Sequence, residues 1–416
     1  MKRQLMAVAL ATAALISLPT PAQARPNAIV PFDLNAVVLD GGEQVTAVTL
    51  DTSRLGRVDA ASLTTQTFSV HAKAESPVQI ENGEVIYSLY DTDREVTGVR
   101  VEDGDIVVEL KHGPGVSGAA TLGYLGVAAR NVMLDLSYTI AQNSAITVNG
   151  RPLTLSGLVQ RDLVDPEVDA FAHHTSAEGI KYRLFEPRRT GSAARTAAPL
   201  IIWLHGNGEG GIPASYNNES QLRANRGGVG PATPEAQAIF GGAYVLAPQV
   251  PDTWYNIDSA SYDTLIKAVI DQVVRRNRID PERIYLLGGS AGGMMTLQLA
   301  GRYPSFFAAD VTTAPALYLN RTGLYTTTAE QLLTLQTTPT WLVHATNDPV
   351  VPYDKSSLWA YTLLQPFGNV TLTTYEGVVW DGVTYSGHAS WIYTARNDPA
   401  NADGEHVWQW LARQHR

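Results

Sequence analysis

Three side chains in the second half of the chain have the types and the order that acyl-transfer chemistry uses. Ser290 sits in Arg283-Ile-Tyr-Leu-Leu-Gly-Gly-Ser-Ala-Gly-Gly-Met-Met295, an apolar β-type run that ends in a glycine cluster. Within it, Gly288-x-Ser290-x-Gly292 fits a strand–turn–helix pattern in which glycines let strand and helix approach while the serine is held in a strained conformation. A serine hydroxyl is a weak nucleophile at neutral pH and needs a base, which in turn needs an orienting carboxylate. Asp348 in Asn347-Asp-Pro-Val-Val-Pro352 and His388 in Ser386-Gly-His-Ala-Ser390 supply both. The backbone N–H after the serine, that of Ala291, faces whatever the oxygen attacks, so a developing negative charge meets an oriented donor.

The apolar pattern predicts the elements that must position these residues. From Ala172 onward strands alternate with helices, which implies a mostly parallel sheet. Leu200-Ile-Ile-Trp-Leu-His205 is a continuous apolar run, as in a strand buried on both faces, and it opens into Gly206-Asn-Gly-Glu-Gly-Gly211. Further strands are expected over 182–187, 243–247, 308–314, 340–345 and 370–375, and helices near 261–277, from the elbow to Arg302, 354–364 and 405–414. Asp348 and His388 then fall in loops that follow strands.

Residues 29 to 163 read differently. Short stretches with period-two alternation, at 44–50, 67–71, 84–90, 105–110, 132–138 and 145–149, predict a small immunoglobulin-like sandwich, without the Cys and Trp of antibody domains. All eight tryptophans lie at Trp203 or later, which places a boundary near Asp165-Pro166 and divides the chain into 25–165 and 166–416. The first half shows no chemical constellation. Asp91-Thr-Asp93 reads as a solvated turn rather than half of a calcium loop, and His71 and His112 as surface or packing residues. A lid, a spacer or an oligomer contact suits this half equally well.

Leu204-His-Gly-Asn-Gly-Glu-Gly-Gly211, Gly288-Gly-Ser-Ala-Gly-Gly293, Asn347-Asp-Pro-Val-Val-Pro352 and Gly387-His388 together give residues 170–416 a specific likeness. They resemble an α/β-hydrolase of the secreted esterase type, and the sandwich is similar to the immunoglobulin-like domain that precedes the catalytic domain in some bacterial esterases. The resemblance implies Ser290 as nucleophile, His388 as general base and then acid, and Asp348 as its orienter. It also implies an oxyanion hole from the N–H groups of Ala291 and Asn207, with Gly208 in reserve because this loop lacks the triple-glycine run of many lipases. A serine carboxylesterase working through an acyl-enzyme, with no cofactor and no metal, is the activity implied. The alternatives are a peptidase related to the prolyl oligopeptidases, a polyester or feruloyl ester depolymerase, and a non-catalytic binding protein. No blade-length repeat of the kind a propeller needs precedes the second half.

Other residues have two readings each. Trp254 and Trp391 either wall the acyl pocket or pack in the core. Glu209 either orients the oxyanion loop or is a surface carboxylate. His205 is expected to hold that loop through a backbone contact, His344 to be a satisfied core residue, and His173-His174 to precede the first strand of the second half.

Composition bounds the rest. The chain has 416 residues, 17% charged and 44% hydrophobic, which is globular. A net charge of -10 disfavours nucleic acid or an anionic membrane as partner, and the absence of cysteine excludes disulfides and a thiol nucleophile. Lys2 and Arg3, the apolar run from Leu5 to Leu18 and Ala22-Gln23-Ala24 have the layout of a signal peptide removed after Ala24, so a secreted or periplasmic location is expected. That run is shorter than the about 20 residues needed to span a bilayer.

Overall fold

Seven residues with apolar side chains, Ala198–Leu204, form the strand on which the larger sheet is built, and every one is buried. Their alternation divides them between two cores. Leu200, Ile202 and Leu204 pack on one face with Ile284, Leu286 and the helix residues Met294 and Leu297. Ile201 and Trp203 pack on the other with Tyr285, Leu287 and Trp341. Each such aliphatic side chain contributes roughly 1.5–3 kcal/mol by leaving water.

These facts come from a computed structural model that describes residues 29–79, 83–155, 157–191, 195–255 and 262–416; the expected leader, residues 1–24, lies outside them. The larger sheet has eight strands, in the order Phe171–Thr175, Lys181–Phe185, Tyr244–Gln249, Ala198–Leu204, Ile279–Gly289, Ala309–Thr313, Thr340–Ala345 and Val370–Tyr375. It is parallel from Tyr244–Gln249 onward, and the first two strands are antiparallel. Helices Tyr262–Arg276, Ala291–Arg302, Ser357–Leu364 and Val407–Ala412 stand at the expected places. The helix Pro234–Phe240 was not expected, although Thr233 caps it, Pro234 opens it and Gly241 closes it at φ 69°. His173 and His174 lie within the sheet's edge strand and not before its first strand. His174 stacks on Tyr182 with centroids 5.0 Å apart, and His173 Nε2 is 3.2 Å from Glu219.

In the first half a five-stranded sheet and a three-stranded sheet face each other. Phe32, Leu34, Val48 and Ile106 of the first meet Phe68, Val70 and Ile140 of the second in one core. Two expected strands prove to be two elements each. Residues 84–90 divide into Ile86–Tyr87 and the start of Tyr90–Arg94, with Ser88 at φ 72° between them. Residues 132–138 divide into Arg130–Met133 and Asp135–Gln142. In both cases the first piece belongs to a separate small sheet of Ile86–Tyr87, Leu122–Leu125 and Arg130–Met133. Asp91 and Asp93 are also not in a turn: they lie on the strand Tyr90–Arg94, and each accepts from a ring nitrogen of His71 at 2.8 Å.

The halves meet through polar contacts. Arg223 pairs with the buried Glu43 and, at 2.6 Å, with Glu219, which also holds the buried Arg183 at 2.7 Å. Arg396 grips Asp40 with two hydrogen bonds of 2.9 and 3.0 Å. Val38 of the first half reaches into the core beneath the larger sheet.

Candidate active site

Ser290 stands between the strand Ile279–Gly289 and the helix Ala291–Arg302 at φ 56° and ψ -120°. A non-glycine residue at positive φ costs on the order of 1–3 kcal/mol, so its surroundings must enforce it. They do so through the backbone: Ser290 N–H donates to Thr313 O at 2.9 Å, and its carbonyl accepts from Ala316 and Met294 N–H, both at 3.0 Å. The flanking glycines are sterically required. A Cβ on Gly288 would lie 2.5 Å from Gly292 O, and one on Gly292 only 2.0 Å from Leu204 O and 2.4 Å from His205 O.

His388 lies on a short turn, Gly387–Ala389, and its N–H is capped by the Ser386 hydroxyl at 3.3 Å. Gly387 lets the turn press against the Asp348 loop, because a Cβ there would meet Asn347 Oδ1 at 2.1 Å. The result is a continuous run of hydrogen bonds. His388 Nε2 is 2.9 Å from Ser290 Oγ, and its Nδ1 is 2.7 Å from Asp348 Oδ2. Asp348 is fully buried, and every lone-pair direction it has is used. Oδ1 accepts from Val350 and Val351 N–H at 2.7 and 2.9 Å, and Oδ2 also takes His344 Nε2 at 3.1 Å. Burial alone would push this carboxyl up, but the hydrogen bonds from His344 and His388 outweigh it and hold it well below the usual carboxylate range. His344, a core residue as expected, is completed by Ser357 Oγ at 2.8 Å from its Nδ1.

The second donor loop follows the strand Ala198–Leu204. A Cβ on Gly206 would lie 3.8 Å from the Ser290 Cβ, so loop and elbow are neighbours. Asn207 opens the single turn Asn207–Glu209 and Ala291 opens the helix, so neither N–H has an acceptor within its own element. His205 is fixed as a neutral tautomer. Its Nε2 accepts from Val250 N–H at 3.2 Å, which leaves Nδ1 to donate to Gly206 O at 2.6 Å, and burial pushes it down to about 4.

Trp254 does not wall the pocket. It is 1% exposed, donates Nε1–H to His205 O at 2.7 Å and packs tilted against the His205 ring with centroids 4.8 Å apart, so it buttresses the loop from behind. Trp391 does line the cleft, edge-on to the His388 ring at 5.2 Å. Glu209 is no surface carboxylate. It is buried beside the cleft, and burial pushes it up to about 7 against the pull of hydrogen bonds and Arg130.

The cleft above Ser290 has a volume of about 870 Å³, and one wall comes from the first half of the chain. Tyr124, Arg130 and Asn131 form that wall, opposite Tyr318, Val350 and Trp391. Sequence reasoning missed it, because nothing local marks a strand residue of one half as facing a loop of the other. Among the described residues no group of three or more His, Asp, Glu or Cys side chains is placed to hold a metal ion.

Residues 188–382 match the family described as Phospholipase/Carboxylesterase, and residues 35–153 match the Esterase Ig-like N-terminal domain. A solved thermostable esterase superposes with a TM-score of 0.75 at 25% identity, covering 92% of this chain and 99% of its own. The protein named "Putative esterase NocK" from Nocardia uniformis subsp. tsuyamanensis is 32% identical over 123 residues, which is 29% of this chain and 33% of that protein. The Bacillus subtilis (strain 168) "Uncharacterized peptidase YuxL" is 28% identical over 137 residues, 33% of this chain and 20% of its own length. The match thus spans a third or less of each of these two relatives. The chain thus carries a Phospholipase/Carboxylesterase domain over residues 188–382 and an Esterase Ig-like N-terminal domain over residues 35–153, in the α/β-hydrolase fold that it shares with the thermostable esterase.

Proposed function

We propose that the chain is a serine carboxylesterase that works through an acyl-enzyme and is exported by its N-terminal leader. The observation that carries the reading is the hydrogen-bonded run from Asp348 through His388 to Ser290 at the base of an open cleft. Ser290 Oγ attacks the ester carbonyl carbon as His388 Nε2 takes its proton. The oxyanion forms against the N–H groups of Ala291 and Asn207. His388 then protonates the departing alcohol as the C–O bond breaks. Water follows in reverse: His388 deprotonates it, it attacks the acyl carbon, and the acid leaves as Ser290 recovers its proton. Asp348 keeps the imidazole in the tautomer with Nδ1–H and stabilises the imidazolium between steps.

Because the three residues act as a unit, Ser290→Ala should lower p-nitrophenyl ester turnover on the order of 10⁶-fold. Near-normal hydrolysis by that variant would reject the reading. The likeness to a protein named as a peptidase makes amide hydrolysis the alternative. Faster turnover of a peptide anilide than of an aryl ester would favour it. For export, N-terminal sequencing of the mature protein should begin at Arg25.

A further inference from the structure

The oxyanion loop is not held by its own domain alone. The Glu209 carboxylate folds back on the loop, so that a Cβ on Gly206 would lie 2.9 Å from its Oε2, and the Glu209 N–H donates to Gly206 O at 3.4 Å. Its Oε1 also accepts from Asn131 Nδ2 at 3.2 Å, a residue 78 positions earlier on the strand Arg130–Met133. The same turn of the loop is pressed on the small sheet, since a Cβ on Gly208 would lie 3.0 Å from Asn131 Nδ2 and 3.7 Å from Tyr124. The strand itself is anchored to the second half on both sides of the amide: Ser220 Oγ donates to Asn131 O at 3.3 Å, and Arg130 donates to Asp252 O at 3.1 Å.

We propose that Asn131 is a positioning residue of the active site, which acts through the Glu209 carboxylate to fix the Gly206–Glu209 backbone and so aim the Asn207 N–H at the forming oxyanion. The inference rests on the serine-esterase reading. A carboxylate bound only to its own loop moves with that loop. One that is also bound to a strand of another sheet ties the loop to a second body. Donors at an oxyanion site must be fixed in advance, because a shift of the donor removes stabilisation that exists only in the transition state. Of the other titratable groups, Arg130 and Tyr124 face Glu209 from the immunoglobulin-like half. Asp252 and Tyr255 reach it across Arg130, and His205 beside the loop is neutral.

Asn131→Ala should lower kcat for an aryl ester about 10- to 100-fold while KM stays within about 3-fold, the split expected when only the transition state loses a contact. Asn131→Asp gives the sharper readout. Two facing carboxyls share a proton at low pH and repel once both are ionised, so kcat of this variant relative to the unaltered protein should be about 10-fold lower at pH 9 than at pH 6. Lost packing would not produce that ordering. A kcat within about 2-fold of the unaltered protein in both variants, a rise in KM at constant kcat, or a pH-independent ratio for Asn131→Asp would each overturn the proposal. Ser290→Ala assayed in parallel separates the two ideas. If it abolishes turnover while both Asn131 variants behave normally, only the positioning role fails; if it retains turnover, the esterase reading fails.

Discussion

The floor and the far wall of the cleft are built by different means. On the floor, Ser290, His388 and Asp348 are placed by short-range backbone constraint: glycines stand at 288, 292 and 387, where an added Cβ would lie only 2.0–2.5 Å from a neighbouring atom. The wall of Tyr124, Arg130 and Asn131 is placed by side-chain hydrogen bonds between halves of the chain, at Glu209, Asp252 and Ser220. The floor is therefore intolerant of added atoms, and the wall is sensitive to lost polar partners.

The largest effect should come from the floor's electrostatics. Asp348→Asn keeps the shape but presents an amide where His388 Nδ1 and His344 Nε2 both donate, so the wrong imidazole tautomer is favoured. A loss of kcat of about 10⁴-fold is expected, with little change in unfolding temperature. Steady-state kinetics beside a thermal melt would check it, and a loss of under about 10-fold would show that the carboxylate does not orient the base. Next comes shape: Gly292→Ala forces a methyl onto Leu204 O and His205 O, for which roughly 3 kcal/mol of stability should be lost. Denaturant unfolding would measure it, and a neutral result would mean that the elbow is looser than the contacts imply.

The contrast also explains what the sequence disclosed. The floor was legible because its requirements are local. Each of Ser290, Asp348 and His388 carries its glycine or proline context within two residues, and a run such as Thr340–Ala345 keeps its burial whatever lies beside it. Trp254 was not legible in the same way, because spacing places it near the oxyanion loop without saying whether the ring faces the cleft or, as it does, the core behind His205. The wall was illegible for a different reason. Period-two alternation continues through the breaks at Ser88 and Leu134, so a strand that changes sheets reads as one strand. The residues of that small sheet meet the second half across large sequence separations, which no local pattern encodes.

The polar joint between the halves supplies the next test. Glu43 is 1% exposed and depends on Arg223, so Arg223→Met leaves a buried carboxylate with Thr121 Oγ1, at 2.6 Å, and the Asp165 carboxyl beside it. Removal of one partner from a buried pair typically costs 3–5 kcal/mol. Burial pushes Glu43 up even with Arg223 present, so the variant can relieve part of the loss by taking a proton. The deficit should therefore be greater at pH 8 than at pH 5 in denaturant titrations. An equal deficit at both values would place the loss in packing, not in charge.

The smallest expected effect separates the two regions by pH. Glu209, which the wall holds through Asn131, and Asp310, buried in the sheet away from the cleft, are both pushed up to about 7, chiefly by burial. Asp310 lies within the strand Ala309–Thr313, where Thr340 Oγ1 donates to its Oδ2 at 2.8 Å and its Oδ1 has no partner. A carboxyl whose folded value is raised above its unfolded one favours folding when protonated. Its contribution is thus full below about pH 4, declines as the pH rises from there through 7, and is absent above. Asp310→Asn mimics the protonated form and removes the titration, so it should match the unaltered protein near pH 4 and gain on it steadily as the pH rises through 7 to 8. Its esterase kinetics should stay level at both values, because Asp310 touches neither the cleft nor the residues that hold the oxyanion loop. If Asp310→Asn instead altered the pH dependence of turnover, the floor and the wall would be coupled through the sheet and the division between them would fail.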